Sequence, residues 1–362
     1  MGTVTSVGSG NYETGSTWDS GARAGNADDV VIASGHNVTL AQDEQANSLT
    51  IESGGTLTIT GATRKIRVDS ENGSGFAVDI DGAIVESGGG KLRLDIETPA
   101  ATKLDLMGSS GNVHDLVINH ASCVATMYSD VSLSGDLTIT AGQLTTGDGG
   151  YGYSNLTVTG DASVTGTLTG NTSSVSLGSL TIAGGGTYSA TSGTTTVSGD
   201  MVSNGTLTHN DGKFVFNEHL EVSGTSLTFY DVSAESGVVK TVDYMNDFTV
   251  ENELDGNNQW RLKASSNTVT LTLGTTSSQG TLDTAAMTSY GFEWDSNTSN
   301  FVKIKGASTL KPAIIEGTNI DWDDVSGGLV RLEDCDFRGD ITTGGGGVTI
   351  TLTGDCEFDA VT

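Results

Sequence analysis

Proline is nearly absent, 2 in 362 residues, which excludes collagen and proline-rich linkers. Basic residues are few: 16 Lys plus Arg stand against 45 Asp plus Glu, a formal net charge of −29. That balance lacks the basic footprint a nucleic-acid partner requires and disfavours an anionic membrane surface. No apolar run approaches a transmembrane span, so no membrane insertion is expected. Residues 1–30 hold no apolar stretch long enough for a signal peptide, and the termini carry no lipidation pattern. The expectation is a chain made and kept in the cytoplasm. An amphipathic helix of three or more turns is also missing. The acidity reads as solubility and suppressed self-association at strand edges.

What the chain has is glycine, alternation and repetition. Gly accounts for 51 residues, about double the usual ~7%. Short runs such as Leu137-Thr-Ile139, Leu180-Thr-Ile182 and Val269-Thr-Leu-Thr-Leu273 alternate apolar and polar residues. Period-two alternation puts one face in a core and the other in water. Gly-rich clusters such as Gly184–Gly186 and Gly344–Gly347 supply turns.

The repeats set the architecture. Val158-Thr-Gly-Asp…Leu168-Thr-Gly170 returns without a gap as Val197-Ser-Gly-Asp…Leu207-Thr-His209. Val31–Leu40 recurs at half that offset as Thr50–Ile59, and Ile84–Leu94 reads as a third copy. Asp334-Cys-Asp-Phe337 returns at a similar short offset as Asp355-Cys-Glu-Phe358. A longer unit holds Asp115, Tyr128 and Asp130, and its counterpart holds Asp231, Tyr244 and Asp247. An offset near 40 fits two coils of about 20 residues. The chain is therefore predicted to be an all-β β-solenoid, a right-handed parallel β-helix. A β-sandwich also has short alternating strands but does not need near-identical repeats at one-coil and two-coil spacing.

Along the chain, residues 1–30 read as an entry segment and cap, with Trp18 covering the first coil. Residues 31–284 read as the solenoid, loosening near Asp255–Trp260. Residues 285–312 form an aromatic-rich, less regular segment, and 313–362 are terminal coils that stop without an evident cap. An uncapped end points to copies of the same chain or another protein as a cover.

The best acidic constellation is Asp321, Asp323 and Asp324 beside Glu333, Asp334 and Asp336, with Arg331 and Arg338 nearby. It reads as a solvated acidic face with local ion pairs. Calcium binding is the sharper alternative, and glycoside hydrolysis by paired carboxylates comes after that. No pair among His36, His114, His120, His209 and His219 has metal-ligand spacing beside a third ligand; His36 and His209 read as turn residues and His114 as an outward or edge position. Cys335 and Cys356 occupy equivalent places in successive coils and read as a buried thiol ladder, because a disulfide between in-register parallel neighbours is strained. Trp260, Trp294, Trp322, Tyr290 and Phe292 are candidates for a sugar-stacking platform, against an ordinary role in end-capping or subunit contact. No Ser-His-Asp arrangement, phosphate loop or dinucleotide fingerprint is present. No catalytic, cofactor-binding or metal residues are assigned, and an enzyme is not expected.

The run Gly205-Thr-Leu-Thr-His-Asn-Asp-Gly-Lys-Phe-Val-Phe216, followed by Leu227-Thr-Phe-Tyr-Asp-Val232, resembles a repeat of β-helical surface and virion-associated proteins. The stretch from Trp18 through Asp28–Ile32 to Gly35-His36 is similar to the entry of such solenoids. The resemblance implies the β-helix and a place on a virus particle or cell surface, and it transfers no catalytic residues. With no export signal, the expectation is a non-enzymatic fibre, spike or capsid decoration. Its partners would be other virion proteins, copies of itself or cell-surface glycans. A cellular adhesin and a polysaccharide lyase or hydrolase are the alternatives.

Overall fold

The structure, a computed structural model, describes residues 2–106, 113–147, 152–225, 227–234 and 241–256. Beyond these it describes 259–263, 269–275, 277–278, 280–283, 292–295, 302–306, 313–316, 329–333, 335–338, 349–353 and 356–359. Past residue 254, side chains are described only at 269–275, 277–278, 280–282, 304, 335 and 356. The chain forms two compact units, 1–178 with 185–189 and 179–184 with 190–362. Both are built from parallel strands in stacked coils, a β-solenoid of about 22 residues per turn.

In the first unit, three successive coils have three strands each: Asp28–Ile32, Asn37–Leu40 and Glu44–Ala46; Ser48–Ile51, Thr56–Thr60 and Thr63–Val68; Phe76–Ile80, Ala83–Ser87 and Lys91–Ile96. Alternation turns every second side chain inward, and register stacks the inward ones into columns. Val4, Val30, Leu49, Val78, Leu104 and Met127 form one such column, all buried. Ala46, Val68, Ile96, Ile118, Ile139 and Val164 form another, fully buried throughout. Each rung removes an aliphatic side chain from water, worth about 1.5–3 kcal/mol for a Val, Leu or Ile.

The shorter sequence repeat is the register itself: Val31 pairs with Thr50, Val38 with Leu57 and Leu40 with Ile59. The longer repeat, Val158 to Val197, is two coils, since Leu168 faces Tyr188 and Thr194 faces Lys213, each about half that offset along the chain. The third copy sits elsewhere on the coil. Ile84 pairs with Leu57, so its Ser87–Gly89 turn follows a different strand from the Ser53–Gly55 turn it resembles. Trp18 is buried, its indole N–H donates to the Tyr12 carbonyl (2.7 Å), and its ring meets that of Tyr12 edge-on at 5.0 Å.

In the second unit, Thr195, Phe214, Val232, Leu254 and Leu282 form a buried column. Phe229 packs edge-on against Phe214 at 5.0 Å, and Tyr244 stacks flat on Phe248 at 3.8 Å. Further along, Val269 pairs with Val302 and Leu282 with Ile315, so the coil between them is half again as long as the average turn. That extra length accounts for the weak periodicity of 285–312, while Phe292–Asp295 still pairs parallel with Gln259–Lys263. Asp336 pairs with Glu357, which sets Cys335 and Cys356 one coil apart, as their repeat requires.

Five aspartates fasten one coil to the next. Asp115 accepts the backbone N–H of Asp136 (2.9 Å), and Asp136 accepts that of Asp161 (2.8 Å). Asp130 receives the N–H of Asn155 (2.7 Å), Asp200 that of Glu221 (2.8 Å) and Asp247 that of Thr270 (2.8 Å). The Gly-Asp pairs of the repeats explain themselves here. A Cβ on Gly160 would stand 2.2 Å from the Asp136 carboxylate and 2.8 Å from the Gly135 carbonyl oxygen. At Gly135 and Gly160 the glycine lets the carboxylate of the preceding coil approach, and the aspartate after it donates its N–H to that carboxylate. These five aspartates thus pair backbone N–H groups of the neighbouring coil, which would cost free energy if buried unpaired.

Candidate functional site

One long coil of the first unit builds a cleft. Leu49 pairs with Val78, a longer step along the chain than the average turn, and the surplus lies in the loop at 69–75. Asn72 folds this loop. Its side-chain oxygen accepts the N–H groups of Ser74 (2.9 Å) and Phe76 (3.1 Å), and its own N–H donates to the Phe76 carbonyl (2.8 Å). Gly75 completes the turn at φ +84°, a conformation glycine adopts without penalty. Phe76 is thereby set at the mouth of its strand.

The next two coils supply the rest. Lys103 is the register partner of Phe76, and Leu104 pairs with Met127, which brings Tyr128 alongside. The Phe76 and Tyr128 rings are close to perpendicular (79°), with centroids 5.1 Å apart. The Lys103 ammonium lies 5.0 Å from the Phe76 centroid and 5.5 Å from that of Tyr128, and it donates to the Ser74 carbonyl at 3.4 Å. A cation held over an aromatic face gains about 0.5–1 kcal/mol at an exposed site. The cleft has a volume of about 290 Å³ and is lined among others by Glu71, Gly75, Ala101, Lys103, Thr126 and Tyr128. One carboxylate, one ammonium, the hydroxyls of Thr102, Thr126 and Tyr128 and one aromatic ring thus border the cleft.

A second, more polar concavity of about 340 Å³ lies near the first coil, between Arg23, Asn26, Asp43 and Glu44. Its charges are already committed: Arg23 forms an ion pair with the buried Glu44. Burial holds the Glu44 carboxyl above its ordinary range although Arg23 opposes the shift. Burial, with Glu44 adding to it, also raises the Tyr12 hydroxyl.

The histidines are local fixtures. His36 lies at a turn, with Nδ1 2.9 Å from the Ser6 hydroxyl. His209 precedes a turn in which Asn210 and Asp211 take left-handed φ values of 49° and 57°. Its Nδ1 accepts the Asp211 N–H (3.0 Å), which leaves the proton of the neutral ring on Nε2, 3.3 Å from Glu251. The ring also stacks on Tyr230 at 5.8 Å. His114 is half-buried beside the Ser134 hydroxyl at 2.9 Å. His120 Nδ1 accepts the Ser122 N–H (3.2 Å), and His219 is exposed.

Asp321, Asp323, Asp324, Asp334, Trp322 and Tyr290 lie outside the described residues. Glu333, Asp336, Arg331, Arg338, Trp260, Phe292 and Trp294 are placed in strands by their backbone alone. Among the described residues, no group of three His, Cys, Asp or Glu side chains is arranged to hold a metal ion. No helix among them is long and apolar enough to cross a membrane. Cys123 and Cys335 are fully buried and Cys356 half-buried, and none of the three is in a disulfide; burial pushes the Cys123 thiol up to about 11.

In the sequence, Tyr128 stands out only by the spacing from an aspartate that it shares with Tyr244. The two tyrosines have opposite environments: Tyr244 is fully buried in the second unit, whereas Tyr128 lines the cleft. The aspartates that follow them, Asp130 and Asp247, play the same fastening role. No protein-family model, curated protein or solved structure matches the chain.

Proposed function

We propose that this chain is a non-enzymatic structural protein of a virus particle, a fibre, spike or capsid decoration that shares in attachment to the host surface. The observation that carries the reading is the fastened coil stack. Columns of inward aliphatics, with strand-entry N–H groups capped by carboxylates from the neighbouring coil, give a stiff scaffold. Such a scaffold suits exposure outside a cell, where resistance to unfolding and proteolysis matters. The likeness of Gly205–Phe216 to repeats of virion-associated β-helices supports the same reading, as does the acidic surface, which keeps a strand-rich protein soluble. The cleft at Glu71, Lys103 and Tyr128 favours an attachment role and keeps a cell-surface, carbohydrate-binding adhesin as the second reading. Mass spectrometry of purified particles, with immunogold labelling by antibodies to this chain, tests the proposal. The expected result is stoichiometric protein and gold on the particles. Detection on the cell envelope alone would replace the virion reading with the adhesin.

A further inference from the structure

We infer that the cleft lined by Glu71, Lys103 and Tyr128 binds a neutral pyranose ring of a glycan. The inference deepens the attachment half of the proposed function without depending on the particle assignment. Three features point to a sugar. First, a pyranose with equatorial hydroxyls has a face of C–H groups that packs on an aromatic ring, and its rim of hydroxyls needs donors and acceptors. Tyr128 offers the ring at the cleft wall, Glu71 the acceptor, Lys103 the donor, and Thr126 a hydroxyl able to do both. Second, Gly75 and Ala101 contribute almost no side chain, which leaves space between the polar groups. Third, a volume of about 290 Å³ lies at the small end of ligand pockets, the size for one or two rings rather than an extended peptide.

Charge selects the neutral sugar over an acidic one. The chain carries a net charge of −29, which repels uronates and sialic acids as they approach. Lys103, the cation in the cleft, is already engaged by two ring faces and the Ser74 carbonyl, and Glu71 shares the same cleft. The ammonium is therefore a hydroxyl donor more than an anion receptor. The site spans three coils, so the stacking register sets the spacing of its groups, and a rigid, preorganised site loses less on binding.

Saturation-transfer difference NMR on the full chain tests this with methyl β-glucopyranoside, cellobiose and methyl β-glucuronide as probes. Two variants accompany the parent. Tyr128→Ala removes the stacking ring. Ala101→Phe fills the cleft from an exposed position, so it leaves the core untouched. Circular dichroism confirms folding, and if Tyr128→Ala does not fold, Ala101→Phe alone decides. The expected result is saturable binding of the two neutral probes, weakened at least about tenfold in each folded variant, a loss of ~1.4 kcal/mol. Absence of saturable binding by either neutral probe would overturn the inference. So would binding unchanged in the folded variants, or preference for the glucuronide, which would make Lys103 an anion site. A negative outcome removes the saccharide site and leaves the virion assignment to the particle analysis, which reads a different quantity.

Discussion

Replacing Gly160 with alanine should break the fastening between two coils. The new methyl would sit 2.2 Å from the Asp136 carboxylate oxygen and 2.8 Å from the Gly135 carbonyl oxygen. Both distances are far inside van der Waals contact, and one neighbour is backbone, which cannot swing away. Forcing the coils apart there costs about 1–3 kcal/mol, as for overpacking in cores. It also displaces the hydrogen bond from the Asp161 N–H to Asp136, at 2.8 Å, and a hydrogen bond to a charged group contributes about 1.5–3 kcal/mol. The combined loss is about 2.5–6 kcal/mol. Gly73→Ala is the control, because a Cβ there meets nothing within 4 Å, and its effect should stay within about 0.5 kcal/mol. Urea denaturation followed by far-UV circular dichroism measures both, with midpoints compared at a common slope. Adding Asp136→Ala closes a double-mutant cycle, and part of the Gly160→Ala cost should vanish in that background. Equal midpoints for Gly160→Ala and Gly73→Ala, or a cycle without coupling to Asp136, would show that the glycine does not hold the two coils together.

Other outcomes follow from the columns and the buried groups. Leu168→Ala and Leu207→Ala empty equivalent, buried places in the repeat, and each should cost about 2–5 kcal/mol in the same denaturation assay. The Cys123 thiol, buried and raised to about 11, should resist iodoacetamide in native protein at pH 8 and react fast only in denaturant, as read by intact mass. Burial, then the neighbouring Asp81 and Asp105, raise the Asp79 carboxyl, so the folded state holds that proton more tightly than the unfolded chain does. Stability therefore falls as pH rises from the ordinary aspartate range through the folded pKa. Asp79→Asn should raise the melting temperature at pH 7, and the gain should disappear below about pH 3.5, where both states are protonated.

The fold was legible because a solenoid writes its register into the chain. Val31–Leu40 and Thr50–Ile59 align residue for residue with the strand pairing, and so do the two Cys-Asp/Glu-Phe motifs. Legibility failed where the same turn chemistry serves two corners. Glu-Ser-Gly-Gly occurs at Glu52–Gly55 and at Glu86–Gly89, but the second follows a strand paired with Thr56–Thr60. The cleft was not legible either. Its residues stand at 71, 75, 101–103 and 126–128, and coils of unequal length leave no constant spacing to find. The coil-to-coil fastening did leave a signal, the recurring Gly-Asp at 135–136, 160–161 and 199–200, although the sequence alone reads such acids as surface charge.

Nitroxide pairs in the first unit test the stacked parallel register most directly. Thr39, Thr58 and Val85 lie one above another on the outward face of successive coils. Labels at 39 and 58 should sit about 5 Å apart at the backbone and labels at 39 and 85 about 10 Å, following the inter-strand spacing. Continuous-wave spectra should show strong dipolar broadening for 39 with 58 and clearly weaker broadening for 39 with 85. Equal broadening in the two pairs, or none for 39 with 58, would contradict the register and with it the coil-on-coil account.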